Sequence, residues 1–282
     1  MMSKIPWTEL TWNPIIGCSK VSAGCANCYA EKMARRLAAM GMEGYCYATT
    51  EDGKWSGKCT PRWSALEKPL RWKKPRMIFV CSMGDLFHES VPFEWIDEVF
   101  KVMVKCKHHT FQVLTKRPER MKEYFTHLKY FLQIVGTSKL PAANVWLGVT
   151  AENQAMADER IPILLEIPAA KRFVSVEPML EDMYIGRYLL TDREKASHDT
   201  QIIEPAGGFN DKKLDWVIVG AESGANRREC KPEWAERIVG DCAYGNVPCF
   251  VKQLHSIHNG KTTLIKMPVG FPQEFPDQKE RI

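Results

Sequence analysis

MIFVCSMGDLFHESVPFEWIDEVFKVMVKCK, Met77–Lys107, reads as one complete β-α unit. Met77-Ile78-Phe79-Val80-Cys81 is a continuous apolar run, the pattern of a strand covered on both faces. Phe93–Lys107 then repeats apolar residues at helical spacing. Between them Ser82-Met83-Gly84-Asp85 is polar and sits where the strand ends. The same order recurs along the chain. Apolar runs at Thr110–Leu114, Val145–Val149, Arg172–Val176, Trp216–Val219 and Pro248–Val251 are separated by helical stretches such as Glu119–Val135 and Pro232–Tyr244. A first strand fits before Cys18. The rhythm predicts an α/β fold, most simply a full or partial TIM-like (β/α) barrel, with a doubly wound sheet as the alternative.

In either architecture the active site is built at the C-terminal edge of the strands. Past the runs stand Gly84 and Asp85, Lys116 and Arg117, Glu152 and Asn153, Glu177, Glu222 with Ser223, and Lys252 with Gln253. One polar strand end means little; six in succession predict a ring of polar groups around a cavity. The competing reading is that they cap helices and pair with one another, as Glu177 and Lys252 would in a structural ion pair.

The 282 residues are 45% hydrophobic and 26% charged, which suits a globular protein with a sizeable core. A single barrel domain is expected over 1–258, with excursions near 45–74 and 187–213 and an irregular extension over 259–282. The 187–213 excursion, polar and containing Pro205-Ala206-Gly207-Gly208, reads as a loop or lid. Net charge is +5, mildly basic, which permits a nucleic-acid partner without demanding one. The start of the chain lacks a signal-peptide pattern, and no run of about 18 apolar residues appears, so a cytoplasmic location without membrane contact is expected. In a reducing compartment ten cysteines are not a disulfide framework.

Three of the ten need their own account. GCSKVSAGCANCYAEKMARR, Gly17–Arg36, spaces Cys18, Cys25 and Cys28 as Cys-x6-Cys-x2-Cys before an amphipathic helix. A structural zinc site would need a fourth ligand from afar, such as Cys46, Cys59 or a histidine. Buried, unligated cysteines are a second reading. A [4Fe–4S] cluster is the third and preferred one: three thiolates leave one iron open, and an open iron can take the amino and carboxylate groups of S-adenosylmethionine.

A three-cysteine loop after the first strand of a β-α barrel resembles the radical SAM superfamily. Two departures stand out: six residues separate the first two cysteines where three are usual, and Asn27 occupies the usual aromatic position, with Tyr29 after it. A closer resemblance covers most of the chain. Thr11-Trp12-Asn13-Pro14, GCANCYAE, SMGDLFHESVP (Ser82–Pro92), FQVLTKRPER (Phe111–Arg120), SVEPML (Ser175–Leu180), GAESG (Gly220–Gly224) and VPCFVKQ (Val247–Gln253) look like a phage-associated three-Cys-motif family of unknown function. Cys81, Gly84 and Leu254-His255 depart from that family's expected Asn, Ser and Trp-Gly.

The radical SAM likeness implies roles. Gly84 and Asp85 would meet the amino group of the cofactor, unless Asp85 merely caps a helix. Lys116, or Arg117, would meet its carboxylate or a substrate phosphate, unless both lie on a solvated turn. Glu152 and Asn153 would reach ribose hydroxyls, and Glu177, Glu222 and Lys252 would face the substrate as catalytic candidates. An external electron donor is implied as a partner. Trp55, Lys58, Arg62, Trp63, Lys68, Arg71, Trp72, Lys73, Lys74 and Arg76 mix aromatic rings with positive charge, which suits bases and phosphates or, equally, a covering loop with a solvated face. His108-His109 reads as a helix end. Cys230, Cys242 and Cys249 suit core packing more than a second cluster. The expected function is a radical SAM-type enzyme modifying a nucleic-acid base or nucleotide in a phage context. The alternatives are a zinc-stabilised nucleic-acid-binding protein without catalysis, and an iron–sulfur electron carrier.

Overall fold

The computed structural model describes residues 3, 5–135, 141–199, 208, 210–224, 226–258 and 261–276. The chain divides into two compact units, one of Met1–Val149, Glu166–Ala170 and Ser223–Arg227, the other of Thr150–Leu165, Lys171–Glu222 and Arg228–Ile282.

In the first unit, β1 (Leu10–Trp12) leads to a short antiparallel pair, β2 (Ile15–Ile16) with β3 (Thr60–Pro61). Helices α1 (Tyr29–Ala39), α2 (Tyr45–Ala48) and α3 (Trp63–Leu66) lie around that pair in sequence, followed by β4 (Met77–Val80), α4 (Phe93–Lys105), β5 (Thr110–Thr115), α5 (Pro118–Val135) and β6 (Val145–Thr150). Strands β1, β4, β5 and β6 pair in that order and in parallel, with Trp12 opposite Val80, Val80 opposite Val113 and Val113 opposite Leu147. Parallel strands covered on both faces should be apolar throughout. All six residues of β6 are buried, as are Met77, Ile78 and Val80 of β4. Helix α4 covers this sheet with Ile96, Val99, Phe100 and Met103, the i, i+3, i+4, i+7 stripe of an amphipathic helix. Each such side chain contributes roughly 1.5–3 kcal/mol of transfer free energy. Tyr124 of α5 packs on Phe87, Phe93 and Phe100, and its hydroxyl donates to Asp97 at 2.9 Å, so the large ring is buried without an orphaned polar atom.

In the second unit, α6 (Gln154–Glu166), β7 (Lys171–Val176), α7 (Asp192–His198), β8 (Trp216–Gly220), α8 (Pro232–Tyr244), β9 (Cys249–His258) and β10 (Lys261–Lys266) follow in order. Strands β7, β8 and β9 are parallel neighbours, and β10 turns back antiparallel on β9. Trp216 anchors this core against Phe173, Phe250 and Phe275.

Within each unit the parallel strands follow one another in chain order. The fold class is therefore α/β of the partial TIM-like kind; a doubly wound sheet would reverse its order at a switch point. Two segments differ from the sequence reading. Within the expected irregular extension, Lys261–Lys266 forms β10 on the free edge of β9, and the described residues 267–276 after it form no further strand or helix. The 187–213 excursion contains α7, whose start is closed by a reciprocal capping box between Thr191 and Glu194. Pro205, Ala206 and Gly207 lie outside the described residues.

Candidate metal and cofactor site

Cys18, Cys25 and Cys28 stand on the loop between β2 and α1, past the C-terminal end of β1. All three are free thiols; Cys25 is buried and the others are half-buried. Ala23–Cys25 forms a single tight turn, and Cys28 occupies the position before the first residue of α1. The inner side of α1, with Ala34 fully buried, rests on Ile16, Tyr45, Ala48, Trp55 and Met83, which fixes where the loop must end.

Two glycines set where it begins. Gly17 has φ +103, a conformation L side chains rarely adopt, and its N–H donates to the Met83 carbonyl at 3.1 Å. A Cβ on Gly17 would lie 2.3 Å from the Lys58 carbonyl oxygen, and one on Gly84 would lie 2.9 Å from the Gly17 carbonyl oxygen. The cysteine loop and the Gly84 turn after β4 are thus in direct backbone contact.

Arg117 ties these parts together. It is 4% exposed. Its Nε donates to both carboxylate oxygens of Glu89 at 2.8 and 2.9 Å, Nη1 donates to Asp85 at 3.0 Å, and Nη2 donates to Ser19 Oγ at 2.8 Å and to the Ser19 carbonyl at 3.3 Å. Nη1 also points at Cys18 Sγ, 3.8 Å away. Asp85 accepts from Thr115 Oγ1, Phe87 N, Lys116 N and Arg117, so its carboxylate is held by four residues of the chain. Lys116 contributes its backbone N–H here, while its side chain stays half-exposed. His88 bridges Ser19 Oγ at 2.8 Å and Ser90 Oγ at 2.9 Å, and burial together with Arg117 holds its ring below the ordinary histidine range.

A fourth thiol is close. Cys59 Sγ donates to the Gly17 carbonyl at 3.2 Å. Burial, aided by Asp85 and opposed by Arg117, pushes the Cys18 thiol up to about 12, and burial pushes Cys59 to about 12. Both are protonated without a metal, so a Lewis acid would have to displace those protons on binding. Among the described residues no three His, Cys, Asp or Glu side chains are gathered closely enough to hold a metal ion. The donor set nevertheless fits a thiolate-ligated cluster: Cys18, Cys25 and Cys28 are free and share one loop.

The second unit places its strand-end residues in cation–carboxylate pairs. Glu152, fully buried, meets Arg160 at 3.2 Å. Asn153 Oδ1 accepts from Met156 N at 2.9 Å at the start of α6. Glu177 and Lys252 form a hydrogen-bonded ion pair. Glu222 accepts from Arg228 through N at 2.8 Å, Nε at 3.1 Å and Nη2 at 2.5 Å, and its carbonyl accepts from His255 Nε2 at 3.1 Å. Cys242 and Cys249 are free, buried thiols on α8 and β9, and their mutual hydrogen bond and burial raise the Cys242 thiol, as in ordinary core packing. The sequence reading named neither Arg160 nor Arg228. The signal available was a carboxylate past a strand with an arginine six to eight residues on, at helical or turn spacing.

What the fold and site define is an α/β protein of β/α repeats carrying a three-cysteine loop at the C-terminal end of its first strand. The chain belongs to the family described as "Protein of unknown function (DUF5131)", whose model matches residues 2–269. None of the curated proteins matches it in sequence. Among solved structures it is similar to a cysteine-to-serine mutant of spore photoproduct lyase, at 11% identity over 95% of this chain and 71% of that one, with a TM-score of 0.44. Among the described residues no helix is long and apolar enough to cross a membrane.

Proposed function

We propose that the protein is a radical SAM-type enzyme that holds a [4Fe–4S] cluster on Cys18, Cys25 and Cys28, binds S-adenosylmethionine, and modifies a nucleic-acid base or nucleotide. The observation that carries the reading is three free cysteines on one short loop, in backbone contact with the turn that follows the next parallel strand. When bound, such a cluster supplies an electron to the sulfonium and leaves one iron for the amino acid end of the cofactor.

The chain's own residues would do the rest. The Gly17 and Gly84 backbones set the approach of the loop. Arg117, Asp85 and Glu89 fix the Cys18 end and bury a positive charge beside that sulfur. Glu152, Glu177 and Glu222, each paired with a cation, offer hydroxyl-accepting oxygens at strand ends; Asn153 and Lys252 add donors. An external reductant is required, because nothing else in the proposal supplies the electron.

The test is anaerobic. The purified protein is reconstituted with iron and sulfide, reduced, and its EPR spectrum recorded with and without S-adenosylmethionine. The expected result is a reduced-cluster signal whose g-values move when the cofactor is added. A signal indifferent to the cofactor favours an electron carrier instead, in which Asp85→Asn would leave the cluster signal intact.

A second reading is a zinc-stabilised nucleic-acid-binding protein. Cys59 favours it, since its sulfur lies against Gly17 and would complete a four-thiol set.

A further inference from the structure

The aromatic and basic segment after Cys59 does not stay with the cysteine loop. It leaves that loop at β3, passes along α4 as α3 and the 3₁₀ turn Lys68–Arg71, and ends at Met77, the first residue of β4. In a parallel sheet the first residue of a strand marks the edge opposite its C-terminal end. Lys73 and Lys74 therefore lie at the opposite edge of the first unit from the cysteines, with the four residues of β4 between them, roughly 13 Å at ~3.3 Å per strand residue. The loop between α4 and β5 reaches the same edge: His108 Nε2 donates to the Trp72 carbonyl at 2.9 Å, and Thr110 N donates to the Arg76 carbonyl at 2.9 Å.

These contacts bring Lys105 and Lys107 beside Lys68, Arg71, Lys73 and Lys74. All six are exposed. Arg76 is paired with Glu9 and Lys101 with Glu98, whereas none of the six has an ion pair among the described residues. From Trp63 to Arg76 the only acid is Glu67. Six exposed cations without an ion pair, with one acid in the 63–76 stretch, make this face positive. At the other end of the track Trp63 is 50% exposed and stands edge-on to Trp95, at 6.1 Å and 82°, on the first turn of α4. Half of the Trp63 surface is open to solvent, and α4 spans about 20 Å between it and the charges at ~1.5 Å per residue.

We propose that this face is a docking track for single-stranded nucleic acid, with Trp63 stacking a base toward the cysteine-loop end and the six cations contacting phosphates toward the other. The proposal deepens the nucleic-acid reading above by requiring a polymer rather than a free nucleotide.

The experiment is fluorescence anisotropy of the reconstituted protein with a labelled oligo(dT) of about twenty nucleotides, repeated from about 50 to 200 mM salt. Six phosphate contacts predict a log–log salt slope near −4 for a single strand, at about −0.7 per contact. The Lys68→Ala/Arg71→Ala/Lys73→Ala/Lys74→Ala variant should lower the slope magnitude by about 3. Trp63→Ala should weaken binding about tenfold and leave the slope alone. Because all are surface changes, far-UV circular dichroism and iron content should match the unaltered protein. The proposal is overturned by absence of binding at about 50 mM salt, by an unchanged slope in the fourfold variant, or by a duplex binding as tightly as the single strand with no effect of Trp63→Ala. Iron content is read on the same samples, so failure of the track and failure of the cluster reading are separate outcomes.

Discussion

Arg117 is a guanidinium shared by two carboxylates, a serine and a cysteine sulfur, nearly all of it out of solvent. Removing it leaves Asp85 buried without its cation. Arg117→Met should therefore destabilise the protein by about 3–5 kcal/mol in urea unfolding. Glu89, whose side chain is 64% exposed, should give less than about 1 kcal/mol as Glu89→Gln. Equal losses would contradict this division of roles. Asp85 was legible in the sequence as a polar residue just past an apolar run. Which of Lys116 and Arg117 turns inward was not, because neighbouring residues leaving a strand point to opposite sides and only the register decides which side is buried. Gly17 is a sharper case. Its φ of +103 and the 2.3 Å approach of a would-be Cβ to the Lys58 carbonyl mean that Gly17→Ala must shift backbone. Gly57→Ala, at φ +77 with nothing within 4 Å, meets only the conformational penalty. Thermal melts of the two should differ, with Gly17→Ala the less stable by more than about 1 kcal/mol.

At the scale of elements, the sequence announced the long strands and helices because their burial is one-dimensional information: β4 and β6 are apolar without interruption, and α4 and α8 carry a stripe. Strands β2 and β3, two residues each, were not announced because their partners, such as Ile15 and Pro61, lie far apart in the chain, and the edge strand β10 was not announced because its polar Lys-Thr-Thr start lacks an apolar run. The capping box of α7 is testable on its own. Thr191→Ala should cost about 1 kcal/mol. Glu194 is held down at about 2, first by Lys213 and then by the Thr191 backbone. A depressed carboxylate contributes its share of stability in full above its unfolded pKa and loses it as pH falls through the folded one. The difference between Glu194→Gln and the unaltered protein should therefore be present at pH 6 and shrink as pH falls from about 4 toward 2. A difference that grows on acidification would contradict the assignment.

For the whole molecule, the polar residues that follow successive strands were visible in the sequence, but their pairing was not. Glu177 meets Lys252, Glu152 meets Arg160 and Glu222 meets Arg228, so most of the charge past the strands in the second unit is balanced locally. Six exposed cations without an ion pair among the described residues stand on the face traced by Lys68–Lys74 and Lys105–Lys107. The three-cysteine centre decides which chemistry the protein can carry. The most direct measurement is the iron and zinc content of the anaerobically reconstituted protein and of its Cys18→Ala, Cys25→Ala, Cys28→Ala and Cys59→Ala variants. A three-thiolate cluster predicts about four irons, lost in each of the first three variants and retained in Cys59→Ala. One zinc, lost in all four variants, would contradict it.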